Sequence, residues 1–143
     1  MDFELQLVLL RVSDVDRARA FYTEKAGFSL DADVSRGDDF RFVQCTPPGS
    51  ACSVAFGVGL TEGDLGNPLE MYLVVADIEV ARDELVGRGV EVSEIQHMTP
   101  RGWAPGADPQ HADYNSFAFF RDPDGNRWVL QEVGHSRRER SAV

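Results

Sequence analysis

The feature that most constrains the fold of this 143-residue chain is an internal repeat. Residues 5–12 and 69–76 are apolar and strand-like, and each run is followed by an aspartate of the type that caps helices, Asp14 or Asp77. Sliding the sequence along itself so that these aspartates coincide also superposes an alanine and an arginine of each following helix, Ala18 on Ala81 and Arg19 on Arg82. The repeat predicts two copies of one supersecondary unit.

Each predicted helix is followed by three strand candidates. These are residues 28–35, 39–45 and 51–58 in the first half, and 90–96, 116–121 and 126–133 in the second. A turn that contains proline and glycine joins the last two strands of each half. The predicted class is α+β, with two βαβββ modules over residues 1–64 and 65–134 and a disordered tail over 135–143. Helices should cover only one face of each sheet.

Charge narrows the possible partners. The formal net charge of -10 argues against nucleic acid and anionic membranes, and favours a small organic ligand. No apolar run approaches the roughly 18 residues of a membrane span, and the N-terminus lacks a basic signal region, so we expect a cytoplasmic protein. In that setting Cys45 and Cys52 are expected to be reduced and packed, although a disulfide across their hairpin is geometrically possible.

Strand 69–76 indicates which sheet face could bind a ligand. Its alternate residues Met71, Leu73 and Val75 supply an apolar, helix-facing side. The other side then carries Glu70, Tyr72 and Val74. Because a glutamate is rarely buried in a core, Glu70 is expected either in a ligand site or at an exposed rim.

A long connection over residues 97–115 concentrates unusual side chains. Trp103 could close over a flat ligand, His97 or His111 could act as an acid or base, and Tyr114 could line the site. The alternative is a surface loop whose tryptophan packs on the other half or on a second subunit.

The stretches VSDVDRARAFYTEKAGF and RDPDGNRWVLQEV, in this order and spacing, resemble the vicinal oxygen chelate superfamily of glyoxalases, bleomycin-binding proteins and dioxygenases. The resemblance covers about residues 4–133. It implies two modules in a half-open, cup-shaped sheet with helices outside, a ligand site within the cup, and a possible homodimer. The fold hosts many activities, so it implies no particular one.

Catalytic members of the superfamily hold a divalent metal, and the resemblance assigns its ligands to four positions of this chain. Those positions hold Leu7, Ser53, Glu70 and Val129. Only Glu70 is a good ligand, and a shifted strand register would add only Gln6 or Cys52. We therefore predict no metal and no other cofactor.

The leading prediction is a metal-independent protein that binds a small hydrophobic or aromatic molecule. Its apolar cup would be lined by Leu7, Leu9, Tyr72, Val129 and the polar Gln131. It would sequester the ligand, or act as an isomerase or cyclase with Glu70 as proton shuttle and Tyr72 assisting. The alternatives are a metal-dependent lyase, isomerase or dioxygenase that uses Glu70 with Gln6, His97 or His111, and a structural or regulatory binding module.

Overall fold

The computed structural model describes residues 1–60 and 67–134. These residues form two compact units, one of residues 1–60, 67–69 and 122–126 and the other of residues 70–121 and 127–134. The predicted module boundary at residues 64 and 65 and the predicted disordered tail over 135–143 lie outside the described residues. Within the described ranges, no helix has the length and apolar character needed to cross a membrane.

The first unit is a four-stranded mixed sheet with one helix. Its elements, in chain order, are β1 (Leu7–Leu9), α1 (Val15–Ala20) continued by a π-helical turn (Phe21–Lys25), β2 (Ser29–Arg36), β3 (Phe40–Thr46) and β4 (Ser53–Val58). The strand order is β1-β4-β3-β2, with β1 parallel to β4 and the other pairs antiparallel.

Helix α1 begins where its sequence predicts. Asp14 has an extended backbone and accepts a hydrogen bond from the Arg17 backbone N–H, which satisfies one donor of the first turn. The helical segment stops at Gly27, whose φ of 77° is a conformation that glycine adopts without strain. Tyr22 is fully buried against Phe28 and Phe56, and its hydroxyl donates to Asp122 at 2.6 Å.

The second unit repeats this plan and adds a strand. Its elements are β5 (Glu70–Val75), α2 (Ile78–Gly87), β6 (Gln96–Thr99), β7 (Gly102–Pro105), β8 (Ser116–Arg121) and β9 (Arg127–Glu132). The strand order is β5-β9-β8-β6-β7, and β5 is parallel to β9. Asp77 caps α2 with φ and ψ of -142° and 107°, nearly those of Asp14 at -140° and 108°. The predicted α+β class is confirmed, with two open mixed sheets.

Two predictions in the second half are wrong. Most of the strand predicted over residues 90–96 is irregular, because the Arg82 guanidinium takes the carbonyl oxygens of Val92 and Ser93 at 3.2 and 2.8 Å. The connection over 97–115 is not a structureless loop, because the β6-β7 hairpin lies within it. The hairpin turns at Pro100 and Arg101, and Gly102, the first residue of β7, follows with a φ of 110°.

The cysteine prediction is confirmed. Both thiols are free, with Cys45 buried and Cys52 partly buried. Burial raises the pKa of the Cys45 thiol to about 11, so this side chain behaves as a small neutral hydrophobic group.

Candidate ligand-binding site

The contact between β9 and α2 distinguishes the two faces of the second sheet. Glu132 accepts a hydrogen bond from the backbone N–H of Ile78, the first residue of α2. Since side chains alternate along a strand, Trp128 and Leu130 share this helix-covered face, and both are buried. Arg127, Val129 and Gln131 lie on the opposite side, which we call the open face.

A cleft of about 340 Å³ lies on the open face. Nine residues line it, and four of them are aromatic. The aromatic residues are Tyr72, Trp103, Phe117 and Phe119, and the others are Ser93, Gln96, Ala118, Arg127 and Val129. Strand pairing brings these residues together, since Val129 of β9 is opposite Tyr72 of β5 on one side and Phe119 of β8 on the other. This volume and lining suit a small organic molecule.

Aromatic surface in the cleft is open to solvent. Trp103 is 55% exposed and Tyr72 is 57% exposed, which is high for residues of this size. Trp103 meets the edge of Phe117 at a centroid distance of 5.4 Å and an angle of 81°. This T-shaped contact fixes the indole and leaves the rest of its surface available for a ligand.

Charge enters the cleft through Arg127. Its guanidinium lies over the Phe119 ring, 4.2 Å from the centroid, in a cation–π contact. One of its nitrogens, Nη1, is 3.4 Å from Glu70 Oε1. Arg121, directly opposite Arg127 on β8, lies over the same ring at 5.0 Å. The open face therefore presents two guanidinium groups close to one carboxylate.

The two predicted catalytic residues both lie on the open face. Tyr72 lines the cleft, whereas the half-exposed Glu70 is paired with Arg127. This arrangement fits the predicted side chain alternation along β5. It engages the Glu70 carboxylate with a cation, and the proton-shuttle role stays a prediction.

The two histidines of residues 97–115 do not line the cleft. His97 is opposite Ser116 in the sheet, on the helix-covered face, and its Nδ1 is 2.8 Å from the Gly106 carbonyl oxygen. His111 donates through Nδ1 to the buried Glu132 at 2.9 Å. That hydrogen bond, helped by the charge of Glu132, raises the pKa of His111. Both histidines thus have structural partners.

Tyr114 and Gln131 meet beside the cleft. Gln131 lies on the open face and donates to the Tyr114 carbonyl oxygen at 3.3 Å, while the Tyr114 backbone N–H donates to the Glu132 carbonyl at 2.8 Å. Tyr114 has a φ of 66°, a conformation that these two main-chain hydrogen bonds hold in place. Neither residue is among those that line the cleft.

The remaining predicted residues belong to the first unit. Leu7 is opposite Ser53 in the parallel strand pair, and Leu9 is opposite Ala55. Ser53 is buried and shares a 2.6 Å hydrogen bond with Thr46, which in turn donates to Asp31. In this unit the predicted ligand-binding positions form an aliphatic and hydroxyl surface.

Comparison with known proteins identifies the family. Residues 4–130 match the model of the Glyoxalase/Bleomycin resistance protein/Dioxygenase superfamily. The chain belongs to this superfamily. The resemblance drawn from the sequence motifs is thereby confirmed.

Relatives within the superfamily match nearly the whole chain. TnmS3, an antibiotic binding protein from Streptomyces sp. CB03234, is 28% identical, covers 93% of this chain and 98% of its own, and superposes with a TM-score of 0.68. A superfamily member from Sphaerobacter thermophilus DSM 20745 is 29% identical with the same TM-score, covering 92% of this chain and 98% of its own. The uncharacterized protein YetH of Bacillus subtilis (strain 168) is 24% identical over 90% of this chain and 98% of its own.

The residues at the superfamily's metal positions do not suit a divalent cation. In the described ranges, no group of three or more histidine, cysteine, aspartate or glutamate side chains is placed to hold a metal. Glu70 is the one carboxylate among the four predicted positions, and the guanidinium of Arg127 beside it would repel a second cation. His97 faces away from Glu70, and His111 is bonded to Glu132. The predicted absence of a metal stays a prediction that direct analysis must test.

Sequence reasoning missed Arg127 and Arg121 as site residues, whereas it placed Phe117 and Phe119 in the core or the wall of the cup. The signal was available for Arg127, because it alternates with Val129 and Gln131 along β9 and must share their face. Arg121 and Phe119 alternate in the same way along β8. That Arg121 lies opposite Arg127 depends on the antiparallel register, which strand patterns alone do not fix.

Proposed function

We propose that this protein binds a flat, largely apolar aromatic molecule without covalent chemistry, and sequesters it on the open face of the second sheet. The observation that carries the proposal is the cleft itself, about 340 Å³ in volume and walled by Tyr72, Trp103, Phe117 and Phe119. Aromatic walls recognise an aromatic ligand by stacking and edge contacts, and burying both surfaces removes apolar area from water.

The similarity to TnmS3 supports a binding role, since that protein is an antibiotic binding protein of the same fold at 28% identity. A protein that sequesters its ligand should release it chemically unchanged and in a stoichiometric amount.

The two tryptophans allow a direct test. Trp103 is exposed in the cleft, whereas Trp128 is buried on the helix-covered face and serves as an internal reference. Titration with N-phenylnaphthylamine, a neutral aromatic dye, should quench Trp103 emission and saturate at one dye per chain. Trp103→Ala should weaken dye binding about fivefold, because one aromatic contact contributes on the order of 1 kcal/mol.

Val80→Ala is the matched control, since Val80 is an exposed apolar residue of α2, on the side of the second sheet opposite the open face. It should leave the affinity for the dye unchanged. Dye binding that never saturates, or that responds equally to the two substitutions, contradicts the proposal. The predicted homodimer and cytoplasmic location stay predictions, and light scattering in solution tests the first.

A further inference from the structure

We propose that the cleft selects an aromatic ligand that carries an acidic group, and that Arg127 and Arg121 receive this group. This inference rests on the proposed function, since it names the class of ligand that the same cleft takes. The chemistry to be recognised is an anionic oxygen substituent on a flat ring, as in a carboxylate, a sulfonate or an ionised phenol.

The first observation is the position of the two arginines. Arg121 and Arg127 are a directly opposed pair on the antiparallel strands β8 and β9, and both guanidiniums lie over the ring of Phe119. Like charges in directly opposed positions repel each other. The whole chain has a net charge of -10, yet this part of the open face carries two neighbouring positive charges.

The second observation is that nearby acidic groups do not satisfy these cations. Glu70 Oε1 is 3.4 Å from Arg127 Nη1, which is longer than the roughly 2.8 Å of a strong charge-assisted hydrogen bond. Arg127 Nε is buried and has no hydrogen-bond partner among the described residues. In the same described ranges, Arg121 forms no salt bridge.

The third observation is that a single ligand can contact both Arg127 and the aromatic side chains of the cleft. Arg127 lines the cleft together with Trp103 and Tyr72, and its side chain remains 35% exposed. Its guanidinium is held over the Phe119 ring, 4.2 Å from the centroid, so little side-chain freedom is lost when an anion binds. A ligand that stacks on the aromatic walls could therefore direct an anionic oxygen at Arg127.

Glu70 would then be a competitor of the ligand. Its carboxylate occupies one part of Arg127 when the cleft is empty, and an anionic ligand must displace it or share the guanidinium with it. Removing this negative charge should strengthen the binding of an anionic ligand. If Glu70 only shuttled protons, removing its charge would not be expected to strengthen the binding of an anionic ligand.

Two dyes with the same ring system test the inference. Anilinonaphthalenesulfonate carries a sulfonate that N-phenylnaphthylamine lacks. We expect the wild-type protein to bind the sulfonate dye more tightly, and Arg127→Gln to remove about tenfold of that preference, the usual effect of losing one charge-assisted hydrogen bond. Arg121→Gln should remove a smaller part, and Glu70→Gln should increase the preference.

The ratio of the two affinities is the decisive measurement, because a general loss of folding affects both dyes alike. Arg36→Gln is the matched control, since it removes the same charge from an exposed position at the end of β2 in the first unit. It should leave the ratio unchanged. Raising the KCl concentration should weaken binding of the sulfonate dye and spare that of the neutral dye.

The failures of the two proposals are distinguishable. Equal affinity of wild type for the two dyes, or a ratio that Arg127→Gln, Arg121→Gln and Glu70→Gln leave unchanged, overturns the acidic-ligand inference and leaves the proposed function standing. Failure of both dyes to bind the wild-type protein overturns the proposed function and this inference together.

Discussion

At one register position of the parallel strand pair, the first unit places Leu7 opposite Ser53, and the second unit places Glu70 opposite Arg127. The backbones of these two pairs correspond, and so do the helix caps that follow, Asp14 and Asp77. The side chains have unrelated chemistry. The repeated residues of this chain therefore define the frame, whereas the residues that differ between the repeats define what each sheet can bind.

The two units also differ in their buried polar anchors. In the first, Tyr22 donates to Asp122, which also accepts from the Asn126 side chain at 2.8 Å. In the second, Glu132 accepts from His111 and from the first backbone N–H of α2. One anchor joins a helix to a turn distant in sequence, and the other joins a helix terminus to a loop. Substitutions can test how much each anchor contributes.

The largest stability effect is expected at Asp122, which accepts four hydrogen bonds and is buried. Asp122→Ala should lower the free energy of unfolding by about 3 kcal/mol, because it removes a buried carboxylate that accepts hydrogen bonds from the Tyr22 hydroxyl and the Asn126 amide. Urea unfolding followed by circular dichroism measures the loss. Asp124→Ala in the same turn removes two hydrogen bonds from the exposed Ser13 and a 3.6 Å ion pair with the half-exposed Arg17, so it should cost about 1 kcal/mol. Equal losses would contradict this account of the turn.

The two helix caps should have effects of intermediate size. Asp14→Ala and Asp77→Ala should each cost about 1 kcal/mol, because each aspartate satisfies backbone donors in the first helical turn. Urea unfolding of both variants compares the repeats directly. Glu132 bonds the Ile78 N–H, a different donor from those that Asp77 serves, so it should not compensate for the lost cap. If Asp77→Ala has a negligible effect while Asp14→Ala does not, Glu132 does compensate for the lost cap.

The smallest effect is expected at His111, and it should depend on pH. The folded protein raises the pKa of His111 above 6.5, mainly through the hydrogen bond to Glu132. A raised pKa stabilises the folded state fully below the unfolded value, and this stabilisation is lost as pH rises through the folded value. The melting temperature of the wild type minus that of His111→Gln should therefore be largest below about pH 6 and fall as pH increases.

Glu132→Gln provides the control for this titration. In that background the main charged partner of His111 is gone, while Asp77 and Glu79 still raise the pKa of His111. Adding His111→Gln should therefore produce a smaller pH-dependent change than it does in the wild type. An undiminished pH dependence without Glu132 would contradict the role given to this hydrogen bond.

Sequence patterns predicted the frame well because they report local physics. Capping aspartates, strand alternation and glycine turns each act within a few residues, and both units follow them closely. The strand predicted over 90–96 failed because Arg82, on the preceding helix, takes main-chain carbonyls that a neighbouring strand would otherwise use. That competition depends on how the helix packs, which no local pattern contains.

The candidate site was only partly predictable for a related reason. Alternation along β5 placed Glu70 and Tyr72 on one face, and the structure finds them there. His97 and His111 were chosen by residue type and loop position, yet the structure brings neither into the cleft. The arginine pair over Phe119 is created by the register between β8 and β9, so it was invisible until the strands were paired.

The bond between Tyr22 and Asp122 also has a consequence for synthesis on the ribosome. The two residues are separated by 100 positions in sequence, and residues 122–126 belong to the first compact unit. When the first four strands have left the ribosome, the turn that completes their unit has not been translated. The Tyr22 hydroxyl must then bond to water until the chain is almost complete. Closing so long a loop favours slow folding, and the first unit reaches its final stability only after the turn at residues 122–126 has been made.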